Sequence, residues 1–173
     1  LDIGSGEGAD AIWLATRGWQ VTGVDVAINA LDKARARAEA VAPSAAARIE
    51  WQQHDLTAWL PPRRSFDLVS SQFMHLPQPA RGALFAALAG AVAPGGTLLI
   101  VGHDTTADPD EHHAHFGALM FGVDDVLHAI VGQGLEVVIA ESRQRAIPAD
   151  GSAAPLRDIV VRATRTGSVE EAL

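Results

Sequence analysis

The chain opens on Leu1-Asp2-Ile3-Gly4-Ser5-Gly6-Glu7-Gly8-Ala9-Asp10, an apolar strand that runs into three glycines and then into a helix start. No other stretch restricts the fold as much. Glycines let the backbone approach a ligand where a Cβ would collide, and the first turn of the helix behind them offers unpaired N–H groups to an anionic ligand group. A second apolar run, Val21-Thr22-Gly23-Val24, ends in Asp25, seventeen residues past Gly8. At that position a carboxylate can accept hydrogen bonds from both hydroxyls of a ribose. Strand, glycine turn, helix, strand and acid together describe a nucleotide-type ligand site in an α/β fold. The spacing Gly4-x-Gly6-x-x-Ala9 also passes as a dinucleotide fingerprint with alanine in third place, so an NAD(P)-dependent oxidoreductase stays open on these residues.

Residues 9–17 carry Ile12, Trp13 and Leu14 among alanines and predict a helix packed on a sheet, stopped by Gly18, with Trp13 and Trp19 as packing residues. Residues 29–42 predict a second helix that buries Leu31, Ala34, Ala38 and Val41 and leaves Lys33, Arg35, Arg37 and Glu39 outside. Pro43 and Ser44 break it, and residues 48–51 read as a short third strand. A buried fourth strand over 66–71, a helix over 79–92, an Ala93-Pro94-Gly95-Gly96 turn and a fifth strand over 97–101 follow. A helix over 124–133, capped from Gly122-Val123-Asp124, leads to a strand over 135–140 and, past a loop at 147–155, to a last strand over 158–163. The connection between these two strands carries no helical pattern, which predicts antiparallel pairing.

Asp2 precedes Gly4 by two residues and Gly8 follows Gly6 by two, so the turn reads Asp-x-Gly-x-Gly-x-Gly. This pattern resembles motif I of the class I S-adenosylmethionine-dependent methyltransferases. The run Phe66-Asp67-Leu68-Val69-Ser70-Ser71-Gln72-Phe73-Met74-His75-Leu76 resembles that family's fourth strand and the segment after it. Leu88-Ala89-Gly90-Ala91-Val92-Ala93-Pro94-Gly95-Gly96-Thr97-Leu98-Leu99-Ile100 resembles its helix, proline-glycine-glycine turn and fifth strand, so the likeness covers nearly the whole chain. It implies a doubly wound, Rossmann-like α/β sheet, mostly parallel, in the order 3-2-1-4-5-7-6 with an antiparallel last strand beside the fifth. It also implies S-adenosyl-L-methionine as methyl donor and S-adenosyl-L-homocysteine as product.

The same resemblance assigns donor-side roles. Asp2 lies near the methionine ammonium, Gly4, Gly6 and Gly8 pass under the methionine portion, and Asp25 and Val26 border the ribose. Asp55 accepts from the adenine amino group, Leu56 offers its N–H to the ring, and the backbone at Ser71 and Gln72 holds the amino group. Asp55 reads independently as the cap of a turn over 57–60, and the two roles are compatible. Residues 6–15 with 18–25 look most like small-molecule methyltransferases of the tellurite-resistance and thiopurine-like branch, which act on thiols, metalloid oxyanions and other soft nucleophiles.

Composition narrows the reaction. With 173 residues, 48% of them hydrophobic and 20% charged, the chain reads as one domain over residues 1–165 and a tail over 166–173. It has no cysteine, which excludes disulfides, thiolate metal sites and a thiol nucleophile, and with the last of these C5 methylation of cytosine. A formal charge of −8 argues against a nucleic-acid partner. Ser70-Ser71-Gln72-Phe73 stands where an Asn-Pro-Pro-Tyr sequence would mark methylation of adenine amino groups. No apolar run has bilayer length and no secretory pattern precedes the fold, so the reading is a cytoplasmic protein, off the membrane, with a small-molecule acceptor. Leu1 already sits inside the first strand, so an N-terminal helix that covers the sheet and caps the ligand is expected to be missing from the numbered chain.

Two histidines mark the acceptor side. His75 follows the fourth strand and is a candidate base, with a packing role before Pro77 as the alternative; His103 follows the fifth strand at the carboxyl edge, where ligands bind in open α/β sheets. Residues 103–115 crowd His103, Asp104, Asp108, Asp110, Glu111, His112, His113 and His115 into a polar loop that fits no zinc spacing; no metal site is assigned, and the loop reads as a substrate lid. Methyl transfer from a sulfonium asks the protein mainly for proximity and alignment, and for a base only when the acceptor must lose a proton. The functional expectation is methyl transfer to a small molecule by in-line displacement. A non-catalytic S-adenosylmethionine-binding or regulatory protein is the second reading and an NAD(P)-dependent oxidoreductase the third.

Overall fold

The computed structural model describes residues 1–104, 119–144 and 157–167. Seven strands, β1 (Asp2–Ile3), β2 (Val21–Asp25), β3 (Ile49–Gln53), β4 (Phe66–Gln72), β5 (Val92–His103), β6 (Leu135–Gln144) and β7 (Arg157–Arg165), form one sheet. Their order is β3-β2-β1-β4-β5-β7-β6, with the first five parallel and β7 antiparallel to both β5 and β6. This is the order and the antiparallel final strand expected from the sequence. Parallel neighbours need crossovers, and the helices α1 (Ala9–Thr16), α2 (Ile28–Val41), α3 (Pro43–Ala46) and α4 (Ala80–Ala91) lie between them, with α5 (Val123–Ile130) leading into β6.

The main core joins Ile3, Val24, Val69, Leu98 and Ile100 of the sheet to Leu84, Phe85 and Leu88 of α4 and Val126 and Ile130 of α5. Leu98 and Ile100 alternate along β5, the period of a strand that buries one face against helices. Phe85 is fully buried and meets Phe121 edge-on at 5.1 Å; removing such a ring from water contributes about 2–3 kcal/mol. Gly102 lets that layer close, because a Cβ there would stand 2.4 Å from Cζ of Phe121. A second cluster sets Ala11, Leu14 and Ala15 of α1 against Val21 and Ala45. At the amino edge of β5, the Arg165 guanidinium donates to the carbonyls of Val92, Ala89 and Gln133, each at 2.7 Å.

Several elements differ from expectation. β5 starts at Val92 rather than at residue 97, because the Ala93-Pro94-Gly95-Gly96 turn is a bulge within the strand: the ladder to β4 jumps from the Phe66–Val92 pair to the Leu68–Thr97 pair. α5 ends at Ile130, ahead of Gly132 and Gly134, whose positive φ values of 74° and 71° leave the helical region. Its start carries the expected cap, with the Gly122 N–H donating to Oδ2 of Asp125 at 2.8 Å. β6 and β7 outrun their predicted ends, since their antiparallel ladder continues to the Gln144–Arg157 pair. Pro43 starts α3 as well as ending α2, a position where its missing N–H costs nothing.

Trp13 and Trp19 are not packing residues: they are 53% and 41% exposed, and the Arg17 guanidinium covers the Trp13 ring at 3.7 Å. Val41, in the last turn of α2, is likewise exposed. Most of the polar loop at 103–115, the loop at 147–155 and the tail from residue 168 lie outside the described residues.

Candidate functional site

The glycine turn hangs from the end of β2. Gly4 and Ser5 both donate their N–H groups to the Val24 carbonyl, at 2.9 and 3.0 Å. One oxygen of Asp25, Oδ2, accepts from the Gly6 N–H and the other, Oδ1, from the Ala27 N–H, both at 2.9 Å. A carboxylate offers about four lone-pair sites, so each oxygen keeps acceptor capacity for a diol. Gly6 has φ 52°, and a Cβ built on it would meet nothing within 4 Å, which leaves open space over the turn. Gly4 lies beneath Met74, whose Cβ would be 3.2 Å from a Cβ on that glycine.

Gly8 serves a different purpose. With φ 79°, its missing Cβ would come 2.4 Å from Cη2 of Trp51 and 3.0 Å from Cβ of Ala34; the same indole ring fills the space over Gly23, at 2.7 Å. Of the three turn glycines expected beneath the donor, Gly6 borders open space, Gly4 meets the loop after β4, and Gly8 packs inward.

Asp2 is 3% exposed, and its Oδ2 has no hydrogen-bond partner. Burial, reinforced by the neighbouring Asp10 carboxylate, pushes its pKa from the ordinary 3.8 up to about 6. Asp10 in turn accepts from Nε2 of Gln72 at 3.1 Å, which ties the first turn of α1 to the end of β4. Ser5 Oγ is a second buried polar atom without a partner. Sequence reasoning passed over it, although it stands between the first two glycines. A buried carboxylate with one unpartnered oxygen, and with Asp10 and Asp25 nearby, favours a cationic ligand group and disfavours a pyrophosphate.

Farther along the carboxyl edge, Asp55 accepts from the Thr57 N–H (2.9 Å) and hydroxyl (2.7 Å) through Oδ1, while its carbonyl accepts from Ala58 and Trp59. The capping role is therefore present, and the Thr57 bonds hold the carboxyl below the usual range. Oδ2 takes no part in this turn. Leu56 packs half-buried against the main core. The turn is moored to β2 by His54 N–H to the Asp25 carbonyl (3.1 Å) and Gln53 Nε2 to the Val26 carbonyl (3.0 Å). Val26 and Ile28 present exposed apolar side chains at this edge, and the His54 and Trp59 rings stack at 4.5 Å. His54, Trp59 and Ile28 carry no motif signal; only the tertiary structure brings them to the edge.

Ser71 is buried in the sheet and pairs with Ile3 and Ile100, and Gln72 reaches Asp10 as described. Beyond them the chain turns sharply at Phe73, a non-glycine residue at φ 53° held by its N–H bond to the Val101 carbonyl at 2.9 Å. Past this turn lie together the two histidines that the sequence reading expects on the acceptor side. The His75 and His103 rings lie 5.5 Å apart and 19° from parallel, and the Phe73 ring is 4.8 Å from His103. Nδ1 of His103 is 3.3 Å from Oδ1 of Asp158, a residue of β7 that no motif marks. Burial lowers the pKa of His75, with His103 and Arg81 acting in the same direction and a bond to the Leu119 backbone against them. No group of three or more metal-ligating side chains occurs among the described residues.

Residues 1–96, more than half of the chain, match the sequence model of the family described as "Methyltransferase domain". Over 102 residues the chain is 38% identical to an uncharacterized methyltransferase of Mycobacterium tuberculosis, a stretch covering 58% of this chain and 48% of that protein. It thus spans about half the length of the curated relatives it matches. Among solved structures, an S-adenosylmethionine-dependent methyltransferase from Methanosarcina mazei superposes with a TM-score of 0.74 at 18% identity, covering 96% of this chain and 91% of that one. One from Mesorhizobium loti gives 0.70 at 20% identity, over 95% and 89%. The chain belongs to the methyltransferase domain family, in the class I fold of its S-adenosylmethionine-dependent members.

Proposed function

We propose that the chain binds S-adenosylmethionine along the carboxyl edge of β1, β2, β3 and β4 and directs its methyl group to a small-molecule acceptor on the β4–β5 side. The observation that carries this reading is the buried Oδ2 of Asp2, an acceptor without a partner on the strand that leads into Gly6, which borders open space. An ammonium is the group that such an atom needs. Asp25, pre-positioned by two backbone N–H groups, takes the ribose diol; Asp55 through Oδ2, with Leu56, Val26 and Ile28, borders the adenine; Ser71 and Gln72 flank the amino-acid end.

The bound donor supplies a methyl group already activated by its sulfonium charge. The protein's own contribution is alignment and the exclusion of water. His75 and His103 border the acceptor. The finer placement in the tellurite-resistance and thiopurine-like branch rests on residues 6–25, all on the donor side. A pyrophosphate cofactor is disfavoured by the three acids at the turn.

Calorimetry decides. The chain should bind S-adenosylhomocysteine and S-adenosylmethionine and give no heat with NADH, and labelled methyl should pass to members of a small-molecule acceptor panel. Binding of NADH in place of the sulfonium ligand would overturn the reading. Tight donor binding with no transfer to any acceptor would make the chain a sensor.

A further inference from the structure

We propose that Asp158 positions His103 as a general base, and that the acceptor is a planar molecule bearing an ionisable hydroxyl, seated against the rings of Phe73, His75 and His103. This inference rests on the donor reading above and adds the acceptor's chemical class.

The argument starts from β7. Its antiparallel course sets Asp158 directly opposite His103 in the β5 ladder, which gives the 3.3 Å contact between Oδ1 and Nδ1. A carboxylate can only accept, so the contact places the imidazole proton on Nδ1 and leaves Nε2 as the basic nitrogen. The backbone of Asp158 is held on both sides, since it also lies opposite Arg143 in the β6 ladder. A thiolate or other soft anion reaches a sulfonium without such an arrangement; a hydroxyl does not.

Ring geometry supplies the second half. Phe73 is held in a left-handed conformation that glycine would adopt more easily, and the result is a ring 4.8 Å from His103. Phe73 is 40% exposed. His75 lies nearly parallel to His103, 5.5 Å away, and its lowered pKa favours the neutral ring. Three flat rings favour a flat partner. The wall adjoins the donor site directly, because Met74, between Phe73 and His75, is the residue lying over Gly4.

The step balances as follows. The acceptor's hydroxyl proton passes to Nε2 of His103, the oxygen's electron pair forms the bond to the methyl carbon, and the carbon–sulfur pair stays on the sulfur of the sulfonium donor, which leaves as a thioether. The proton on His103 is then lost to solvent. Among the described residues, the titratable and charged groups near His103 are Asp158 from β7 and His75 after β4; Arg81 acts on His75, and Asp104, next to His103, lies 3.9 Å from Arg157, next to Asp158.

The test uses 4-nitrophenol, whose absorption reports its ionisation, with the full chain saturated in S-adenosylhomocysteine, at a pH where the free phenol is protonated. The bound probe should ionise. His103→Phe, which keeps the ring packing, should lower the phenolate fraction by about tenfold or more, Asp158→Asn by a smaller factor, and Asp158→Glu should restore most of it. Imidazole nitrogen resonances of the unmodified chain should show His103 protonated on Nδ1. A probe that does not bind, stays protonated or ionises equally in His103→Phe, or a His103 protonated on Nε2, overturns the proposal. Calorimetry with S-adenosylhomocysteine on each variant separates the two readings: no binding to the unmodified chain sinks the donor assignment, whereas intact binding without ionisation sinks this one alone.

Discussion

The N–H of Gly6 donates to Oδ2 of Asp25 at 2.9 Å, so the glycine turn and the acid at the tip of β2 form one hydrogen-bonded unit. Replacing Asp25 acts on both partners. Asp25→Ala should weaken S-adenosylhomocysteine binding by about 1 to 3 kcal/mol through lost charge-assisted bonds to the ribose. It should also cost about 1 kcal/mol of stability, because the Gly6 and Ala27 N–H groups lose their acceptor. Calorimetry and urea denaturation measure the two effects separately, and unchanged affinity would falsify the ribose role.

Asp2 sets a pH dependence whose sign is determinate. Its folded pKa, about 6, lies above the ordinary 3.8, so the folded chain retains a proton that the unfolded chain releases. Asp2 therefore lowers stability progressively as pH rises through that window, and the loss is complete above it. Binding of a ligand ammonium requires the ionised form. Donor affinity should strengthen from pH 5 to pH 7, and binding near pH 5 should release a proton, seen as a heat that varies with the buffer's ionisation enthalpy.

The same residue predicts a trade-off between stability and binding. Asp2→Asn removes the buried charge and should raise the melting temperature of the ligand-free chain at pH 7.5 by several degrees, on the order of 1 kcal/mol or more. It should weaken S-adenosylmethionine binding at least about tenfold and abolish the pH dependence. A variant that melts lower and binds equally well would show that Asp2 is a structural acid.

Gly6 and Gly8 share a motif and should fail in different ways. Gly6→Ala meets open space, so it should fold with a loss of about 1 kcal/mol for the left-handed backbone and lose donor binding. Gly8→Ala drives a Cβ into Trp51 and should destabilise the fold by about 2 to 5 kcal/mol. Adding Trp51→Leu to Gly8→Ala should recover part of that loss, and thermal melts of the unmodified chain, Gly8→Ala, Trp51→Leu and the double variant give the coupling.

Arg165 is remote from the ligand edge and tests the frame alone. Arg165→Met strips three carbonyls of their donor, two in buried bonds and one in a part-buried bond, and should cost about 3 to 5 kcal/mol. Donor affinity in the surviving folded fraction should be unchanged.

The sheet order was legible in the sequence through the family resemblance that its short motifs carry. The Asp-x-Gly-x-Gly-x-Gly turn, the acid closing β2 and the proline-glycine-glycine turn before residue 97 are short-range signals, each forced by backbone geometry at a few consecutive positions. Side-chain surroundings were not legible in that way. Trp13 lies on an apolar helix pattern and is exposed, while Gly8 owes its identity as much to Trp51, 43 residues away in sequence, as to any ligand. The two histidines were singled out from the sequence, but their closeness to one another and to Asp158 was decided by tertiary structure alone. His75, His103 and Asp158 come from the loop after β4 and from two antiparallel strands, and only the sheet register makes them neighbours. A linear chain encodes its turns locally, but proximity between distant strands exists only after the ladder that joins them has formed.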